Sequence, residues 1–185
     1  MKTWRVLLMT LAFMLLGGCL VTFTQPMAEH QALPAGLLGK WTSKNSWGEP
    51  LNLELSRVGK DQYQAVSYAR ARPREREAYG FTVTRHDVRW YAWGKVPAAY
   101  GGGFTLAGFE LNEDHELVVY SLDLEAIGDA AARGLLKGAP LDTEQGPGLA
   151  VQSPMAQVFA YLDDPANADA FVEVARYKRP ANAKP

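Results

Sequence analysis

The sequence predicts a mainly β domain: an antiparallel meander closing as a β-barrel, with two helices in the C-terminal half and a final strand. Three observations carry this expectation. Between positions 37 and 122, short runs alternate apolar with polar residues and are separated by turn-forming residues. Two later segments place their apolar residues at helical spacing instead. The run Val88, Arg89, Trp90, Tyr91, Ala92, Trp93, Gly94 has large aromatics on both faces, so one face looks inward and the other needs a cover, for which a helix is available. Consecutive strands with tight connections make a meander, and closing it removes the two open edges.

Taken in order, Leu37-Leu38-Gly39-Lys40-Trp41-Thr42 opens the first strand. In the second, Leu51, Leu53 and Leu55 alternate with Asn52, Glu54 and Ser56, and the turn residues 58–61 lead into a third strand at 62–71. Phe81 and Val83 alternate with Thr82 and Thr84, and Arg85, His86 and Asp87 turn the chain into the aromatic strand 88–94. Strands at 104–112 and 115–122, joined through Glu113 and Asp114, extend the series. A helix follows at 123–137, with Leu124, Ile127, Ala131 and Leu135 on one side, acids in its first turn and bases in its last, as the helix dipole favours. Gly138 and Pro140 end it, and the Gly- and Pro-rich stretch 139–152 reads as a surface loop. The second helix starts at Ser153, a capping residue, with Pro154 at its first position, and carries Met155, Val158, Phe159 and Leu162. Residues 171–177 alternate again and return to the sheet as the final strand.

Gly39-Lys40-Trp41 resembles the glycine-any-tryptophan signature at the first strand of lipocalins and related calycin barrels, whose Trp plugs one end of the barrel. The late strand after a helical segment is similar to that plan too. The resemblance implies a lipocalin-like β-barrel at 37–179, followed by a tail at 180–185. It also implies an arginine packed over Trp41, for which Arg176 and Arg179 both qualify. Two late helices instead of one, and no Thr-Asp-Tyr motif, depart from the pattern.

The N-terminus carries an address. Lys2 and Arg5 precede an 11-residue apolar run at 6–16, then Gly17, Gly18 and Cys19. This is the order of a secretory signal, and the run is shorter than the roughly 20 residues a membrane span needs. Leu16-Gly17-Gly18-Cys19 resembles the lipobox of bacterial lipoproteins. The resemblance implies a signal peptide at 1–18 cut after Gly18, and lipidation of Cys19. Leu20 stands where an Asp would signal retention in the inner membrane, so the implied location is the outer membrane, facing the periplasm. The lone cysteine can form no internal disulfide. Residues 19–36, with Pro26, Pro34 and no lasting period, read as the lipidated cysteine and a flexible tether.

The net charge of −1 and the absence of a long basic stripe exclude a nucleic-acid-binding composition. Arg70, Arg72, Arg74 and Arg76 alternate, and on an extended backbone would point one way, as a row suited to phosphate groups of lipopolysaccharide or an acidic envelope polymer; a solvated hairpin loop balanced by Glu75 and Glu77 is the plainer reading. The glycine triplet at 101–103 lacks the lysine and hydroxyl residue of a phosphate-binding loop and suits a flap or a flexible hairpin. His30, His86 and His115 have no second ligand at metal spacing, and no Gly-x-Ser-x-Gly element presents a nucleophile. Neither an enzyme nor a cofactor is expected. The expected function is a lipid-anchored barrel holding a small apolar ligand against the inward residues Leu53, Phe81, Val83 and Trp90. The alternative is a scaffolding or interaction lipoprotein, with a side-chain-filled barrel and an envelope component as partner.

Overall fold

The computed structural model describes residues 20–27, 30–44, 48–143 and 146–181. Gly18 and Cys19, the expected cleavage and lipidation positions, lie outside the described residues, as does the tail beyond Ala181. The fold is mainly β. Eight strands fall where alternation predicts them: β2 (Gly39–Lys44), β3 (Pro50–Arg57), β4 (Tyr63–Ala69), β5 (Glu77–His86), β6 (Arg89–Lys95), β7 (Phe104–Leu111), β8 (Leu117–Leu122) and β11 (Phe171–Tyr177). Antiparallel ladders join β2 through β8 in chain order, and β11 pairs with β8. The two expected C-terminal-half helices are α1 (Leu124–Ala132), capped by the Asp123 carboxylate, and α2 (Met155–Leu162). No helix among the described residues is long and apolar enough to cross a membrane.

Three strands lie where the sequence suggested none. The described part of the expected tether is packed: Leu20–Phe23 forms β1, parallel to β10 (Gly146–Val151), which itself pairs with β9 (Gly138–Thr143). Burial drives this departure. Val21, Phe23, Met27 and Leu33 are each no more than 6% exposed, and a solvated tether would forgo that apolar burial. The β9–β10 hairpin replaces the loop expected at 139–152, and β9 ends the strand order, an edge that tolerates Pro140. Ser153 does not cap α2; its hydroxyl accepts the Lys137 N–H at 2.7 Å, tying the two helical segments together.

The sheet has two apolar faces and a core on each. On the outer face, Tyr91 and Trp93 of β6 pack with Val21, Phe23, Ile127, Val158 and Phe159, so α1, α2 and β1 provide the expected cover. On the inner face, Trp90 and Ala92 join Trp41, Leu55, Tyr63, Val83, Phe109 and Tyr177. The hydroxyl of Tyr91 and the indole N–H of Trp93 are buried without a hydrogen-bond partner among the described residues. Burial and the nearby Asp163 charge push the Tyr91 phenol up to about 12.

The ladders do not close the sheet. Among the described residues a single antiparallel bridge runs between β2 and the end of β11, in which Thr42 and Lys178 exchange N–H to carbonyl bonds of 2.8 Å each. The Ser43 hydroxyl adds a bond of 2.6 Å to the Arg176 carbonyl.

Candidate functional site

The inner face brings all four expected residues into one apolar cluster. Period-2 alternation accounts for this: Leu53, Phe81, Val83 and Trp90 occupy matching phases of β3, β5 and β6, and the ladder registers keep those phases on one side. Val83 is fully buried, whereas Leu53, Phe81 and Trp90 remain half-buried. Phe81 lies 5.8 Å from the Tyr63 ring, and Trp90 lies 6.1 Å from Phe109 in a stacked pair.

One end of this face is plugged. Trp41 is 1% exposed; its indole N–H donates to the Leu37 carbonyl at 2.8 Å, and the Arg179 guanidinium covers its ring at 3.8 Å. Of the two arginines that qualified for this place, Arg179 fills it. The same guanidinium donates to the carbonyls of Lys40 at 3.0 Å, Leu38 at 2.9 Å and Gly36. Gly39 is required here, because its φ is +101° and a Cβ would sit 3.2 Å from the guanidinium. Arg176 is held elsewhere, by Glu116 at 2.8 Å and Glu173 at 2.7 Å. Glu116 also takes Lys178 at 2.7 Å, and these cations, with Asn112, pull its carboxyl down to about 2. The Tyr63 hydroxyl accepts the Leu33 N–H at 2.9 Å and Arg57 at 3.2 Å, so the 30–38 segment is fastened across the same end.

The other end is built from smaller or more polar inward residues. Ser67, Ala69, Gly94, Thr105 and Ser121 lie there, all incompletely buried. Tyr79, two residues before Phe81 and therefore on its face, is 40% exposed and donates to the Glu77 carboxylate at 2.7 Å. Burial and that carboxylate raise its phenol well above the usual range. The chain reading passed over Tyr79, although the two-residue period points to it.

The extended arginine row does not form, and the plainer reading of a hairpin loop describes the segment. Residues 70–76 are a folded turn between β4 and β5, fixed by N–H to carbonyl bonds from Arg72 to Ala69 (2.9 Å) and from Glu75 to Arg72 (3.0 Å). Arg72 pairs with Glu75 at 3.2 Å, and Arg76 lies over the Tyr68 ring at 4.5 Å. The glycine loop is likewise packed: the Val96 N–H bonds Gly103, whose φ is +76° and whose Cβ position lies 2.7 Å from the Phe23 carbonyl. Its role is to let β1 approach.

Among the described residues no group of three or more His, Cys, Asp or Glu side chains is placed to hold a metal. His86 bonds Asp163 at 2.5 Å and stacks on Phe159 at 4.3 Å, which latches α2 to the sheet. No protein-family model matches this chain, no curated protein matches it, and no solved structure matches it.

Proposed function

We propose that this chain is a lipid-anchored, periplasm-facing lipocalin-like protein that binds a small apolar ligand on the inner face of its sheet. The observation that supports it best is the half-buried set Leu53, Phe81 and Trp90 around the buried Val83, with Leu53 the cross-strand partner of the Trp41 plug. Concave, mostly apolar surfaces with a few polar groups are the usual setting of small-molecule sites. In this reading β2 to β8 and β11 form an eight-stranded barrel that the Thr42–Lys178 bridge closes. Cleavage after Gly18 and acylation of Cys19 attach it to the outer membrane. Each buried methylene contributes about 0.8 kcal/mol, so several chains on one residue hold lastingly. Because β1 begins at Leu20, such an anchor holds the domain against the bilayer, without a long spacer. The role is non-enzymatic.

Two measurements test this. Displacement of the neutral fluorescent probe N-phenyl-1-naphthylamine should report saturable binding that Phe81→Ala and Trp90→Ala weaken; a probe that never saturates rejects the site. Intact-mass analysis of natively expressed protein should show an acylated chain starting at Cys19; an unmodified thiol rejects the anchor. A second reading, a scaffolding lipoprotein with a filled interior, draws on the ring pairs Tyr63–Phe81 and Trp90–Phe109, which already occupy part of the inner face.

A further inference from the structure

Exposed cationic side chains gather at the less plugged end of the inner face, and they bear on what the proposed site accepts. At the less plugged end, β2 finishes at Lys44 and β6 at Lys95, both exposed, and the arginine turn joins β4 to β5. Within that turn the internal pairs are already made. Glu75 is taken by Arg72, Glu77 by the Tyr79 hydroxyl, and Arg76 by the Tyr68 ring and the Pro73 carbonyl at 3.0 Å. Arg70 and Arg74 remain exposed, with no ion pair or side-chain hydrogen bond among the described residues. Two free guanidinium groups on a turn held by backbone hydrogen bonds form a cationic feature on a chain whose net charge is only −1.

We propose, resting on the reading of the inner face as a ligand site, that the ligand is an amphiphile with an anionic group. Its apolar part lies against Leu53, Phe81 and Trp90, and its carboxylate or phosphate is taken by Arg70 and Arg74 at the rim. The depth follows from the charges. The inward polar side chains near this end, Ser67, Glu77, Tyr79, Thr105 and Ser121, include a carboxylate and no cation, so an acid group is repelled from the interior and held outside it. Guanidinium groups suit both oxyanions, since their N–H fork matches carboxylate and phosphate oxygens.

The test is a titration of the full-length protein with four probes of one chain length: dodecanoate, dodecyl phosphate, dodecanol and dodecyltrimethylammonium. Binding is read by tryptophan fluorescence below the micelle concentrations, at low and high salt. The anionic probes should bind about tenfold more tightly than dodecanol, a difference of about 1.4 kcal/mol. That preference should shrink in high salt and vanish in Arg70→Ser/Arg74→Ser, with dodecanol binding unchanged. Comparing dodecanoate with dodecyl phosphate tells which oxyanion is preferred. Equal binding of dodecanol and the anionic probes, or a preference that survives the double variant, overturns the anion assignment and leaves the inner-face site standing. If none of the four binds, the inner-face site itself falls.

Discussion

The two ends of the inner face use the same strands for different ends. Where β2 starts and β11 finishes, Trp41, Tyr63, Leu117 and Tyr177 are sealed, each no more than 6% exposed, and Arg179 and Glu116 fasten the backbone around them. A few residues along the same strands, the inward positions become Ser67, Ala92 and Gly94, and large apolar side chains are left half-buried. A strand can thus be structural at one end and available at the other, with only side-chain volume changing between them.

The contrast makes graded predictions. Trp41→Ala should cost most, about 3–5 kcal/mol in chemical denaturation, because it empties the plug and leaves the Arg179 guanidinium without its ring. Phe81→Ala, at the half-buried middle, should cost only about 1–2 kcal/mol while markedly weakening apolar-probe binding. Equal costs for the two substitutions would erase the distinction between the ends.

The plugged end should also carry a pH signature. The carboxyl of Glu116 is pulled down to about 2 by Lys178, Arg176 and Asn112, so its folded-state value lies below its unfolded one. Its contribution is therefore complete above the unfolded carboxyl range, near pH 4.5, and is lost as pH falls towards about 2. The melting temperature should drop across that window, and Glu116→Gln should flatten the drop. The smallest stability effect is expected for Ala92→Leu. Overpacking a filled core costs about 1–3 kcal/mol, whereas at an open inner face the added carbons should cost less than about 1 kcal/mol and still obstruct the probe. A cost at the upper end of the overpacking range would favour the filled interior.

Much of this contrast was legible in the sequence. Alternation located eight strands and the phase that gathers Leu53, Phe81, Val83 and Trp90, because period-2 burial is a local property. The Gly39 and Trp41 pattern pointed to the plug. The choice of Arg179 over Arg176 was not legible, since it depends on Glu116, 60 residues from Arg176, taking the other arginine. The strand β1 escaped for a related reason. Its four residues are followed by polar residues and Pro26, and what buries Val21 and Phe23 is β6, β7, β10 and the helices, all distant in the chain. The β9–β10 hairpin was hidden by its Gly and Pro content, which an edge strand tolerates but which reads as a loop. The arginine row failed because a turn stabilised by its own backbone bonds replaced the extended chain the row required.

Native mass spectrometry of the full-length protein, extracted gently from the cells that make it, tests the central claim most directly. The account predicts a co-purifying small amphiphilic mass at one per chain, lost when Phe81 and Trp90 are both replaced by alanine. A bare protein mass across repeated independent extractions, together with no uptake of added apolar probe, would contradict it.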